Sequence, residues 1–212
     1  MSDIVFKISA FTSSEIDRVA SLHRSGIMKG FLPSLGDKFL RLLYQAISRS
    51  DKGILILAIK NGQVIGFVSG AISLRPIYSL LLKENLFELI FILFPKFFYR
   101  HNLNKIVDLL LYSSRFCKEK ADRSAAELLS IIVDEKYRGQ GIAQGLFEQL
   151  MFEFQKRKVA EFKIIVGESL TSAQRFYEKM GARKCRKIEV HKGEVSWEYI
   201  FNRGPLLIGT KS

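Results

Sequence analysis

A strand, a turn with two glycines and an amphipathic helix follow one another directly between residues 128 and 154. The strand is the apolar run Leu128–Val133, and the turn is Asp134–Gly141. Apolar residues then recur at the spacing of one helix face: Ile142, Leu146, Phe147, Leu150, Met151 and Phe154. A strand that leads straight into such a helix favours an α/β fold.

The flanking segments continue this alternation of strands and helices. Strands are expected at Ile4–Ile8, Ile54–Ile59, Val64–Ile72, Phe162–Val166, Lys184–His191 and Glu194–Phe201. The pair Asn61-Gly62 predicts a tight hairpin turn, because both residues tolerate positive φ. The order predicts an α/β domain with a mixed, mostly antiparallel central sheet and helices on both faces.

Capping residues mark the helices of the N-terminal part. Thr12 and Glu15 have capping-box spacing, which predicts a helix to about Met28. Gly30–Pro33 is predicted to be a loop. Ser34 is predicted to cap a second helix, whose apolar stripe is Phe39, Leu40, Leu43, Ala46 and Ile47.

A second capping box is predicted near the C-terminus. Thr171 and Gln174 have the required spacing, and Gly181 is a natural residue to follow a helix end. Together they predict a short helix over Thr171–Met180.

Residues 74–124 are predicted to be a helical insertion within one domain that covers residues 1–212. Asn85-x-x-Glu88 resembles a helix start, and the apolar residues of 86–94 surround that helix. Such a helix must be buried, dimerise or contact lipid, although it is far shorter than the roughly 20 residues of a membrane span. A second helix is expected at Asn104–Ser113. A packed helical pair, a substrate lid, a dimer surface and a membrane-surface contact all stay open.

The net charge of +12 suggests an anionic partner, and the distribution of the charge along the chain narrows the class of partner. Residues 1–73 hold nine basic and five acidic side chains, residues 74–124 hold the same numbers, and residues 125–212 hold fifteen and eleven. A diffuse excess is weaker evidence for nucleic acid than a clustered stripe, so we expect no nucleic-acid partner.

The cysteines and histidines form no recognisable site. Cys117 and Cys185 make no C-x-x-C pair, so neither a disulfide framework nor a metal site is expected. His23, His101 and His191 fit no motif, and surface or packing roles are expected for them. The N-terminus lacks the pattern of a signal peptide, so a cytoplasmic protein is expected.

The turn that contains Gly139 and Gly141 predicts an anion-binding site. Two glycines allow a tight turn with converging amide groups, and the helix that follows carries partial positive charge at its N-terminus. This combination suits a phosphate or pyrophosphate. The spacing matches neither the dinucleotide fingerprint nor the Walker motif, since Ala143 follows Gly141 by two positions and no Gly-Lys-Ser/Thr is present.

The same segment resembles a known family. Arg138-Gly139-Gln140-Gly141-Ile142-Ala143 is similar to R-x-x-G-x-G/A, the acyl-CoA-binding motif of the GNAT superfamily of N-acetyltransferases. About thirty residues later, Ala173–Gly181 resembles the family pattern A-x-x-F-Y-E-K-x-G, and the combination is far more specific than either piece. The resemblance implies the GNAT fold over nearly the whole chain, with residues 74–124 outside the usual plan.

The resemblance implies acetyl-CoA, or a close acyl-CoA, as the acyl donor. Its pyrophosphate would bind the amides of Arg138, Gly139, Gln140, Gly141, Ile142 and Ala143. Its pantetheine would pair like an added strand with Ile131, Ile132 and Val133, where a backbone amide can also stabilise the oxyanion.

Two side chains are implied in proton transfer. Glu127 matches the catalytic glutamate of some family members, and it would deprotonate the acceptor ammonium directly or through water. A solvated carboxylate at the strand end is the alternative. Tyr177 matches the family tyrosine that lies near the cofactor sulfur, and it would protonate the leaving thiolate. Core packing is the alternative for this residue.

The acceptor is expected to be a small-molecule primary amine. Residues 31–44 resemble GNAT proteins of bacterial surface-polysaccharide and amino-sugar pathways, which implies an amino sugar or a nucleotide-linked amino sugar. Two departures from the family pattern matter. Leu170 replaces a usual asparagine, which puts one cofactor hydrogen bond in doubt. Ile165 replaces the glutamate of enzymes that acetylate protein N-termini, which argues against that subclass.

Two other functions stay open. In the first, the acceptor is a protein lysine, a polyamine or another small amine. In the second, the chain is a non-catalytic acyl-CoA-binding or membrane-associated module. A homodimer is compatible with the apolar insertion.

Overall fold

The computed structural model describes residues 4–27, 31–97, 126–191 and 194–202. Its strands form one sheet in the order β1-β2-β3-β4-β5-β7-β6. They are β1 (Val5–Lys7), β2 (Gly53–Lys60), β3 (Gln63–Ala71), β4 (Glu127–Val133), β5 (Glu161–Gly167), β6 (Arg183–His191) and β7 (Glu194–Asn202). Neighbouring strands are antiparallel except β4 and β5, which are parallel. The predicted mixed, mostly antiparallel sheet is confirmed.

Helices cover both faces of this sheet, as predicted. They are α1 (Ser13–Gly26), α2 (Phe31–Ser34), α3 (Asp37–Arg49), α4 (Leu74–Phe97), α5 (Ile142–Lys156) and α6 (Thr171–Lys179). Helices α1, α3 and α4 share one apolar core with the sheet, and α5 and α6 share the other. We call these two sides of the sheet the α1 face and the α5 face.

The first capping box and the hairpin turn form as predicted. Oγ1 of Thr12 accepts a hydrogen bond from the amide of Glu15 at 3.2 Å, and the Glu15 carboxylate accepts one from the Thr12 amide at 2.7 Å. Asn61 and Gly62 connect β2 and β3 with φ of 51° and 74°. These local signals succeed because short-range backbone geometry alone decides them.

The predicted capping box at Thr171 is wrong. Thr171 is the first residue of α6, and Leu170 occupies the capping position without a side-chain hydrogen bond. The side-chain amide of Gln174 instead donates to the carbonyls of Gly167 and Glu168, at 3.3 Å and 2.9 Å. Gln174 therefore ties the helix to the end of β5, a contact that sequence spacing does not encode.

The predicted loop before α3 is partly helical. Phe31–Ser34 forms a single helical turn, because a proline is tolerated where no intrahelical N–H is needed. The predicted cap of α3 at Ser34 is wrong. Gly36 caps α3 instead, with a φ of 92° that favours glycine.

Helix α4 occupies the first part of the predicted insertion. It begins at Leu74, well before the predicted start at Asn85, which forms a kink with φ of −129° and ψ of 24°. The Asn85 side-chain amide donates to the carbonyl of Leu81 at 3.2 Å. The second predicted helix, Asn104–Ser113, lies outside the described residues. Across the described ranges, no helix combines the length and the apolar character that crossing a membrane requires.

The apolar residues after the kink in α4 divide between core and surface. Leu89 is buried in the α1-face core. Phe87 and Phe91 are 81% and 80% exposed, and Leu86 and Ile90 are half exposed. This helix is therefore not buried all round, and it presents an apolar strip at the surface.

Candidate active site

The two parallel strands at the centre of the sheet separate soon after they begin. Within the described residues, β4 and β5 pair at Glu127 with Lys163 and at Leu128 with Ile164, and nowhere further. Beyond Leu128 this edge of β4 therefore has no strand partner among the described residues, and we call the gap between β4 and β5 the cleft. An open strand edge can hold an extended ligand through backbone hydrogen bonds. The predicted pantetheine contacts, the backbone of 131–133, lie along this edge.

A β-bulge lies at the point of separation. Ser69 of β3 pairs with Ser130, and Gly70 pairs with Leu128, so Leu129 is an extra residue on β4. A bulge bends its strand and increases the local twist, which directs β4 away from β5.

The bulge also changes which side chains face which core. Leu129 and Ile132 pack toward the α1 face, whereas Leu128, Ile131 and Val133 pack toward the α5 face. The side chains of 131–133 are thereby anchored on both sides of the sheet. Their backbone is held in a defined position along the cleft.

The glycine turn after β4 provides a second ligand surface. Gly139 and Gly141 have φ of 76° and 75°, and a Cβ at either position would meet no atom within 4 Å. Backbone conformation, rather than crowding, therefore requires glycine at both positions. Gly141 caps α5 without a side-chain hydrogen bond, so no capping side chain competes with an anion for the first amides of the helix, at Ile142 and Ala143.

Arg138 and Ile142 hold the turn in place. Nε of Arg138 donates to the carbonyl of Val133 at 3.2 Å, and its amide donates to the carbonyl of Glu135 at 3.3 Å. Ile142 is 3% exposed and anchors the turn in the core. Gln140 is exposed at the middle of the turn. The arginine therefore stabilises the turn, and the amides that follow it are the better anion donors.

The predicted base, Glu127, is buried rather than solvated. Oε2 of Glu127 lies 4.0 Å from Nζ of Lys163, and both side chains are 9% exposed. Burial, and then the charge of Glu127, raise the pKa of Tyr78 in α4 above its usual range. A residue of the predicted insertion thus lies close to the predicted base. The alternative of a solvated carboxylate at the strand end does not fit this burial.

The predicted acid, Tyr177, lies on the opposite face of the sheet. It is 5% exposed and packs against the rings of Phe147, Phe176 and Tyr199. Burial raises the pKa of Tyr177 above its usual range, so its hydroxyl stays protonated. Glu127 and Tyr177 do not meet within one core.

Sequence reasoning missed a polar cluster behind the bulge. His23 and Tyr44 are both buried, and Nδ1 of His23 lies 2.6 Å from Oη of Tyr44. Ser69, Ser130 and Lys163 add buried polar groups on strands. Each is a polar residue at a core-facing strand or helix position, which is the signal that the sequence offered.

The two departures from the family pattern have distinct surroundings. Leu170 is half exposed at the start of α6. Ile165 pairs with Glu198 of β7, so a carboxylate lies beside the position at which enzymes that acetylate protein N-termini carry a strand glutamate. Arg186 holds that carboxylate with two hydrogen bonds, at 2.9 Å and 3.0 Å.

Metal-ligating side chains do not gather in the described ranges, where no three His, Cys, Asp or Glu residues lie together. Cys185 is exposed, and Cys117 and His101 lie outside the described residues.

Known proteins share the sequence pattern and the fold of this chain. The model of the Acetyltransferase (GNAT) family matches residues 23–182. No curated protein matches the chain in sequence. Among solved structures, the ribosomal-protein-S18-alanine N-acetyltransferase from Escherichia coli is 15% identical with a TM-score of 0.56, over 93% of this chain and 94% of that chain. Arabidopsis thaliana NAA60 in complex with acetyl-CoA is 17% identical with a TM-score of 0.59, over 96% and 100%.

An N-acetyltransferase from Staphylococcus aureus Mu50 is 12% identical with a TM-score of 0.61, over 95% of this chain and 99% of that chain. At such low identity these structures show the shared fold. The family match spans β4, the glycine turn, α5 and α6. The predicted fold and enzyme class are confirmed, and with them acetyl-CoA as the acyl donor. The chain belongs to the GNAT family of acetyltransferases.

Proposed function

We propose that this enzyme acetylates the primary amine of an amino sugar or a nucleotide-linked amino sugar, by direct attack of the amine on acetyl-CoA. The observation that carries acyl transfer is the end of β4–β5 pairing at Leu128, immediately before a bulge and an open strand edge. When bound, acetyl-CoA supplies an activated acetyl thioester.

The residues present fit this donor. The backbone of Ile131, Ile132 and Val133 would bind the pantetheine as a strand does. The amides from Gly139 to Ala143 would bind the pyrophosphate, and the space around both glycines leaves room for it. The Val133 carbonyl already accepts from Arg138, so the earlier carbonyls and amides of the strand are the available partners.

Proton transfer would use both faces of the sheet. Glu127 would take a proton from the acceptor ammonium through a water molecule, because its side chain is only 9% exposed and lies beside Lys163. A backbone amide near the bulge would stabilise the negative charge that develops on the carbonyl oxygen. Tyr177, which stays protonated, would give a proton to the leaving sulfur.

The acceptor would approach on the α1 face, where Glu127 lies. Gly26, at the end of α1, is so close to β4 that a Cβ there would lie 2.7 Å from Cγ2 of Ile132. The C-terminal end of α1 therefore lies against β4, beside the cleft. In residues 31–44, the apolar side chains that resemble amino-sugar enzymes are buried in the core: Leu35, Phe39, Leu40, Leu43 and Tyr44. Their burial gives these side chains a packing role, and it is the net charge of +12 that favours an acceptor with phosphates.

The test is a turnover assay on the purified full chain, with acetyl-CoA and release of free thiol as the signal. The acceptors are glucosamine, glucosamine 6-phosphate, a UDP-linked amino sugar, spermidine, a lysine peptide and a peptide with a free N-terminal alanine. We expect turnover with an amino sugar. Turnover confined to spermidine or a peptide would show that the acceptor class is wrong. Acetyl-CoA binding without any turnover would favour the non-catalytic binding module.

The remaining expectations concern the whole chain. We propose one domain over residues 1–212, with 74–124 inserted between β3 and β4. A cytoplasmic location, a homodimer and a membrane-surface contact stay predictions, and the exposed apolar strip at Phe87 and Phe91 supports the last two. Size-exclusion chromatography and liposome co-sedimentation, with and without residues 77–100, test them.

A further inference from the structure

A buried polar chain crosses the α1-face core and ends at the bulge of β4. His23 of α1 and Tyr44 of α3 are 2% and 1% exposed, with 2.6 Å between Nδ1 and Oη. The Tyr44 hydroxyl also faces the hydroxyls of Ser69 and Ser130, which pair across β3 and β4. Polar groups in an apolar core reduce stability unless they are hydrogen-bonded, so four of them at one place require an explanation.

The hydrogen bonds of this chain have a preferred direction. Burial lowers the pKa of His23 to about 4, so its imidazole is neutral at pH 7. Burial raises the pKa of Tyr44 above its usual range, so its phenol keeps its proton. A phenol O–H is the better donor and an imidazole nitrogen the better acceptor, so Tyr44 donates to His23. The oxygen of Tyr44 is then an acceptor for the Ser130 hydroxyl.

Ser130 is the end of the chain that reaches the cleft. It is 8% exposed, whereas Ser69 is fully buried. Ser130 directly follows Leu129, where β4 has separated from β5.

We propose that Ser130 binds the acceptor: its Oγ accepts a hydrogen bond from the acceptor amine, and Tyr44 and His23 are positioning residues that orient the Ser130 hydroxyl. This inference rests on the proposed function, because it requires an amine in the cleft. No proton leaves the amine toward Ser130, and proton removal stays with Glu127. An amine held by one N–H presents its nitrogen lone pair to the thioester in a fixed direction.

The test separates the KM for the amine from the KM for acetyl-CoA, using the full chain and the acceptor of the panel that the wild type acetylates best. Ser130→Ala is expected to lower kcat/KM for the amine about 3-fold to 10-fold, the loss of one neutral hydrogen bond, with the KM for acetyl-CoA unchanged. Ser130→Thr keeps the hydroxyl and is expected to restore activity. The matched control is Ser196→Ala on β7, since Ser196 is also 8% exposed.

Tyr44→Phe tests the positioning role. It keeps the ring, which packs against Phe67 at 5.1 Å between centroids, and removes the hydroxyl. We expect kcat/KM for the amine to fall about 3-fold to 10-fold, the loss of one neutral hydrogen bond. The double variant with Ser130→Ala is expected to match Ser130→Ala alone, because both act on the same contact. Tyr199→Phe, a buried tyrosine of the α5 face, is the control.

The outcomes distinguish the two proposals. If the wild type acetylates an amine but Ser130→Ala keeps the same kcat/KM for it, the role of Ser130 is overturned and the proposed function stands. If Ser130→Ala raises the KM for acetyl-CoA and leaves kcat/KM for the amine unchanged, the role of Ser130 is overturned as well. If the wild type acetylates no panel amine, both proposals fall. If Ser130→Ala does not fold, Ser130→Cys replaces it. The cysteine keeps the shape of the side chain, and its sulfur is a weaker hydrogen-bond acceptor than the serine oxygen.

Discussion

Nζ of Lys163 lies 4.0 Å from Oε2 of Glu127, at the first of the two residue pairs that join β4 to β5. Both side chains are 9% exposed. Water screens such a pair far less than a pair at the surface, so each charge depends on the other. Glu127 therefore holds the closed end of the cleft together, in addition to its proposed role as the base.

Replacing the proposed base tests its part in proton transfer. Glu127→Gln is expected to lower kcat about 10²-fold to 10⁴-fold, because it removes the proposed general base. The Kd for acetyl-CoA, measured by calorimetry, is expected to stay unchanged. The control is Glu153→Gln in α5, a glutamate with 7% exposure that accepts from Lys156 at 2.9 Å. Equal kcat in the two variants would contradict the assignment.

Removing the cation tests the structural part of the pair. Lys163→Met is expected to lower the free energy of unfolding by about 3–5 kcal/mol, because the carboxylate of Glu127 is then buried with less compensation. Urea denaturation measures this loss. Adding Glu127→Gln is expected to recover part of it. Strictly additive losses in the double variant would show that the two charges are not coupled.

The glycine turn offers a test with a close control. Gly141→Ala forces a φ of 75° on a residue with a Cβ, at a cost of about 1–2 kcal/mol, and is expected to weaken acetyl-CoA binding. Gly62→Ala, in the β2–β3 hairpin, imposes a φ of 74° in equally open surroundings. Gly62→Ala is expected to lose similar stability with no change in the Kd for acetyl-CoA. The same loss of affinity in both would mean that strain, and not the anion site, is responsible.

The pH dependence of kcat tests the proposed acid, Tyr177. Because burial raises the pKa of Tyr177, its hydroxyl stays protonated, and the wild-type kcat should show no decline from this group below about pH 10. Tyr177→Phe is expected to lower kcat about 10²-fold, the lower end of acid–base effects, at every pH in that range. A decline of wild-type kcat that disappears in Tyr177→Phe would contradict a protonated Tyr177.

His23 predicts a loss of stability in acid. Its pKa is lowered by burial to about 4 in the folded chain, against 6.5 for the ordinary group, so the unfolded chain binds the proton first. The neutral imidazole contributes stability fully above pH 6.5, and roughly 3 kcal/mol of it is lost as the pH falls from 6.5 to 4. His23→Asn is expected to flatten the dependence of urea midpoints on pH in this window. An unchanged slope would overturn the prediction.

Much of the fold was predictable because its signals are local. The glycines of the turn, the Thr12 capping box and the Asn61-Gly62 hairpin each depend on the backbone of a few residues. The predictions at Ser34 and Thr171 failed for the opposite reason. At Thr171, the contacts of Gln174 with the end of β5 outweighed a capping pattern that was correct in spacing.

The candidate site divides in the same way. The sequence determined strand β4 and the glycine turn, because each is a run of neighbouring residues whose backbone conformation is set locally. The same run of residues indicated the family. The tertiary structure decided that Leu129 is a bulge, that Glu127 is buried beside Lys163, and that His23 and Tyr44 meet behind Ser130. Those relations join residues distant in the chain, and their energies depend on burial and strand register, which no local pattern carries.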